Sequence, residues 1–149
     1  MIAEALAAYA HFLSIFALLS VLAAEAALYR QRMAPATLAL LRRLDLGYML
    51  AAIAVLGTGL LRVFFFAKGW QFYAANPVFW VKMALFLLVG LMSVPPTIHY
   101  IKTAKASRGG EIAITDRTYR HIRGHLFGQL ALLALIPLAA ALMARGIGL

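Results

Sequence analysis

Four apolar runs dominate this chain, and each is long enough to cross a bilayer. They lie at roughly Ala5 to Tyr29, Leu46 to Ala67, Pro77 to Tyr100 and His121 to Ala144. At 1.5 Å per residue, about 20 helical residues cover a ~30 Å hydrocarbon core. The expected fold is all-α, a four-transmembrane-helix bundle forming one integral membrane domain over residues 1–149. The composition agrees. The chain is 64% hydrophobic and 13% charged, with a mean hydropathy of +0.88. Soluble domains sit near 45–50% apolar and about 25% charged. The first run lacks a basic leader and continues past about twenty residues, so it reads as a retained span rather than a cleaved signal.

The loops set the orientation. Arg30, Arg32, Arg42 and Arg43 lie between spans one and two. Lys102, Lys105, Arg108, Arg117, Arg120 and Arg123 lie between spans three and four. Together they are ten of the fourteen basic residues. The opposite side carries Lys68 and Arg145. The positive-inside rule places both basic loops in the cytoplasm and both termini on the periplasmic side of a bacterial inner membrane. The net charge of +9 therefore reads as topology and attraction to anionic lipid, and nucleic acid is not an expected partner. No cysteine is present, which removes disulfides and thiolate metal sites.

Local chemistry marks the helix ends. Asn76-Pro77 starts span three, with Pro77 in its first turn. Thr115 or Asp116 caps span four. Pro95-Pro96 lies late in span three, and Pro95 is expected to remove a backbone bond, kink the helix and free carbonyls near Met92. The aromatic stretch from Trp70 to Trp80 reads as an interfacial belt. "ASRGGEIAITDRTYR" reads as a mobile connector. Gly57, Gly59 and Gly90 read as sites of close helix packing, the first two with room for a second protomer.

Two cations fall inside spans. Arg62 follows fifteen uncharged residues, and Lys82 lies about five residues into span three. His11 sits about 9 Å below the outer surface in span one. All three share one depth in the outer leaflet. They read either as interfacial anchors beside a packing histidine, or as a pocket for a flat, apolar, anionic ligand. Haem b or a related tetrapyrrole has that character: a neutral His binds its iron, and Arg and Lys pair with its propionates. Tyr9, Phe12 and Phe16 supply packing surface on the same helix.

A second polar group lies toward the cytoplasm. Glu25 is within span one, Asp45 opens span two and His99 closes span three. His121 and His125 open span four at i, i+4. Two readings assign chemistry here. One is a divalent-metal set from these histidines with Glu25. The other is a bis-His haem pair of His99 and His125. A third reading is structural, with Glu25 and Asp45 neutralised by Arg43 or Arg123. No phosphate-binding glycine loop, G-x-S-x-G elbow or H-E-x-x-H is present.

The stretch "GTGLLRVFFFAKGWQFYAANPVFWVKMALFLLVGLMSVPPT", with "AHFLSIFALL" in span one, resembles a family of bacterial four-helix inner-membrane proteins of unknown function. R-x-F-x-x-x-K-G and NP-x-F-W-x-K-x-x-L-F are its most specific parts. More distantly, the layout is similar to HemJ-type protoporphyrinogen oxidases and to CopD-like membrane proteins. In the HemJ type, an early histidine of the first span and an early basic residue of the third are essential and associated with haem b. His11 and Lys82 match those places. The resemblance implies electron transfer or HemJ-like oxidoreduction, with a quinone or tetrapyrrole as partner. The CopD-like likeness implies copper or other metal handling. A non-catalytic membrane subunit, alone or as a homo-oligomer, is the remaining expectation.

Overall fold

The computed structural model describes residues 2–66, 69–107 and 109–147; Ala67, Lys68 and Arg108 lie outside them. Four long helices carry the chain: α1 (Ile2–Leu28), α2 (Pro35–Leu61), α4 (Pro77–Ala106) and α5 (Asp116–Ala144). Each is long and apolar enough to cross a membrane. α2 continues without a break into a π-helical turn, Arg62–Phe66, and a short α3 (Trp70–Ala75) precedes α4. Helix passes the basic-loop ends of the second and third apolar runs. α2 starts at Pro35, well before Leu46, and α4 runs six residues beyond Tyr100. Arg42, Arg43, Lys102 and Lys105 therefore stand on helical turns rather than in loops. The full 32-residue helix Pro35–Phe66 measures about 48 Å, more than the hydrocarbon needs, so its basic turns project from it.

The helix ends follow from capping. Asn76 accepts from the Val78 amide at 2.8 Å, and Pro77 fills the first turn, where a missing donor costs nothing. Thr115 accepts from Thr118 N at 3.4 Å and is the cap of α5.

The helices pack as two hairpins. α1 lies most closely on α2, and α4 on α5; α1–α5 and α2–α4 contacts join them. Large apolar side chains such as Phe16, Ile53, Phe65, Leu87 and Leu138 face outward, as expected for a lipid-facing surface. Between helices the driving force is packing and hydrogen bonding, because lipid is as apolar as leucine. Gly128 illustrates this. A Cβ at that position would meet Met92 Cε at 2.5 Å, so the glycine lets Met92 cross from α4 onto α5. Gly57 and Gly90 have nothing within 4 Å of such a Cβ, and close packing there, expected from sequence, does not occur.

Within the stretch expected to be a mobile connector, Ile112 to Ile114 are instead tied down. β1 (Arg32–Met33) pairs antiparallel with β2 (Ile112–Ala113), and Ile114 N donates to Gln31 O at 2.9 Å. Met33, Ile112 and Ile114 are buried against Tyr29, Leu38 and Ile122. The alternation Ile112-Ala113-Ile114 sends two isoleucines inward, and that apolar gain orders the loop. The bundle thus has a β end and an α3 end.

Candidate functional site

His11, Arg62 and Lys82 converge at the α3 end, as their common depth suggested. The charges of Arg62 and Lys82 both reach His11, and that of Arg62 reaches Lys82. Three different elements supply them: α1, the π-helical turn and the second turn of α4. The π turn was not legible in the sequence. It opens at Arg62, whose amide bonds to Thr58 O and Gly59 O. Such insertions are frequent at functional sites. The Arg62 guanidinium lies 5.9 Å from the centre of the Phe12 ring, and Lys82 Nζ lies 5.4 Å from that of Phe79. Phe12 is 55% exposed, so the arginine stands at the rim where α1 meets lipid.

His11 is positioned by α2. Its Nδ1 is 3.0 Å from Thr58 Oγ1, and that hydroxyl donates to Ala54 O at 2.6 Å. The single hydroxyl proton is spent on the carbonyl, so the oxygen accepts and His11 Nδ1 donates. In that tautomer Nε2 is the acceptor nitrogen of a ring that also has the Val55 backbone as a hydrogen-bond partner. A Cβ at Gly59 would stand 3.1 Å from His11 Cε1, a tight contact that the ring would have to relieve by shifting a few tenths of an ångström. Within the chain, the close approach at Gly59 is therefore to His11. Among the described residues neither Arg62 nor Lys82 has an ion pair; the one salt bridge is Arg120–Asp116 on the exposed start of α5.

The second group gathers differently from expectation. Glu25, 2% exposed, has Tyr100 OH at 3.5 Å from Oε2, and its Oε1 has no partner among the described residues. Asp45 accepts from Thr97 Oγ1 at 2.7 Å. Neither carboxyl is neutralised by Arg43 or Arg123. Arg123 instead lies 4.7 Å from the Phe127 ring centre and bonds to Tyr119 OH. Tyr29, which the sequence reading passed over, is the hub. It bonds to His99 Nε2 at 3.0 Å, stacks on Tyr119 at 5.6 Å and contacts Tyr100 at 6.0 Å. Tyr29 is fully buried just beyond α1, and that burial raises its phenol above the ordinary range.

His121 and His125 do share a face, with ring centres 4.7 Å apart. No carboxylate joins them. Among the described residues no three His, Asp or Glu side chains are placed to hold a metal ion, so the set of His11, His99, His121, His125 and Glu25 is not brought together. The pairing of His99 with His125 is not formed either. His125 Nδ1 bonds to Met92 O at 3.2 Å, a level about two helical turns, ~10 Å, from His99. A freed carbonyl near Met92 is present, but through Pro96 rather than through Pro95, which was expected to release it. Pro96 is the residue that cannot donate to Met92 O, and His125 with Gln129 Nε2 takes the vacancy.

A family described as "Predicted membrane protein (DUF2214)" matches residues 3–148. The chain belongs to that family. No curated protein matches the chain, and no solved structure does.

Proposed function

We propose that this membrane protein holds a flat, apolar, anionic ligand at its α3 end, and that haem b or a related tetrapyrrole is that ligand. One observation carries the reading: two intramembrane cations and a histidine converge from three elements without a carboxylate to balance them. Like charges in a low-dielectric setting repel unless an anion lies between them. Arg62 and Lys82 would hold the propionates. His11, with Nδ1 donating to Thr58, would ligate through Nε2. Phe12, half open to lipid, gives lateral entry from the bilayer. A bound haem supplies one-electron chemistry, which fits electron transfer or HemJ-like oxidoreduction with a quinone or tetrapyrrole partner. The positive-inside rule supports the periplasmic side of a bacterial inner membrane for this end, both termini and α3 included.

The test is a titration of the purified protein with haemin and with iron-free protoporphyrin, followed by quenching of Trp70 and Trp80 fluorescence. Both should bind, more weakly as salt rises. Arg62→Gln and Lys82→Gln should each weaken both ligands about 10-fold, the loss of one charge-assisted contact. Equal affinity in wild type and both variants would contradict the reading.

A further inference from the structure

We infer that Glu25 is a proton-exchanging carboxyl inside the bundle, a site separate from the cation cluster at the α3 end. The protein has five acidic residues; Glu4, Glu111 and Asp116 are exposed. Glu25 is buried in the span, and its Oε1 lacks any partner among the described residues. A carboxylate buried in such a place without a pairing group is unfavourable. Its surroundings offer no compensation. α2 presents Asp45 and Tyr48, α4 presents Tyr100, and α1 itself continues to Tyr29, on which α5 stacks Tyr119. No Lys, Arg or His forms an ion pair with Glu25 among the described residues. Asp45 is a second carboxyl facing the same interior, and a like charge there disfavours ionisation of its neighbour. Asp45 has a short bond from Thr97 to stabilise its charge, whereas Glu25 has only the long contact from Tyr100.

The structure also offers a way in. Tyr100 touches Glu25, Tyr29 adjoins Tyr100, and Tyr29 OH is 3.0 Å from His99 Nε2 at the β end. Charging is balanced simply. A hydronium ion gives up a proton, an O–H bond forms on the Glu25 carboxylate, and water remains; discharge is the reverse. The ligand of this site is therefore the proton, exchanged toward the β end.

Infrared spectroscopy of the purified protein tests this. A protonated-carboxyl C=O band is expected at neutral pH, where an ordinary glutamate is ionised. It should vanish in Glu25→Gln, persist in Asp45→Asn, and shift on transfer to D2O. Tyr100→Phe should move the band by removing its hydrogen bond, which keeps the assignment testable if Glu25→Gln fails to fold. Tyr29→Phe should slow the D2O shift with the band otherwise unchanged. No band in the wild type, a band that survives Glu25→Gln, or one that never shifts in D2O would each overturn the inference.

Discussion

Gly59 gives His11 its place: a methyl group at residue 59 would stand 3.1 Å from His11 Cε1, while Thr58 beside it bonds the ring's Nδ1 at 3.0 Å. One helical turn thus supplies both the space and the hydrogen bond. Gly59→Ala should displace the imidazole and cost about 1–3 kcal/mol, the range for overpacking. Gly57→Ala, with nothing within 4 Å, should be neutral or stabilise by up to ~1 kcal/mol through helix propensity. Thermal unfolding of the two variants in one detergent makes the comparison. Equal losses at both positions would mean that the contact with His11 is not what matters.

Thr58→Val keeps the shape of the side chain and removes the acceptor. The half-buried Nδ1 then loses its partner, at a cost of about 1 kcal/mol. The ligand consequence should be larger than the stability consequence, because the imidazole is no longer held in one tautomer. Haemin affinity should fall while iron-free protoporphyrin affinity stays near the wild-type value. Parallel losses for both ligands would assign Thr58 a packing role only.

Met92 O replaces a missing Pro96 amide with His125 and Gln129. In a Gln129→Leu, His125→Phe double variant this carbonyl is left bare, and stability should fall by about 1–3 kcal/mol. Adding Pro96→Ala restores a backbone donor at that turn and should recover part of the loss. In the wild-type background the same change should recover nothing. A double-mutant cycle on chemical unfolding reads the difference.

Tyr29 is buried and its phenol is raised, by burial first and by Tyr119 second. The unfolded chain therefore loses this proton before the folded one. Stability is fully present below the ordinary tyrosine value of about 10 and declines as pH rises above it. Unfolding midpoints measured from pH 8 to 11 should show this decline, with a shallower slope in Tyr29→Phe. An unchanged slope would place the alkaline sensitivity elsewhere.

The four helices and the shared depth of His11, Arg62 and Lys82 were legible because both follow from counting along a regular rise. The Asn76 and Thr115 caps were legible because capping is local, and so was the freed carbonyl at Met92. What escaped depended on distant partners. β1 and β2 are two residues each and lie far apart in sequence, so neither has a readable period. Glu25 was expected to meet an arginine, yet helix rotation turns it toward Tyr100 and Asp45. Tyr29 marked only the end of a span, and its burial depends on His99 and Tyr100 of α4 and Tyr119 of α5, none of which is near it in sequence. Gly128 gave no signal, because its role depends on which α4 side chain faces it.

The most direct test of the cation cluster is an absorption spectrum. The protein should be expressed with ample haem, purified in mild detergent, and recorded oxidised and then reduced with dithionite. The account predicts a Soret band that sharpens on reduction, with α and β bands, and its loss in His11→Ala. A wild-type spectrum without a Soret band, or one that His11→Ala leaves unchanged, would contradict haem binding at His11, Arg62 and Lys82.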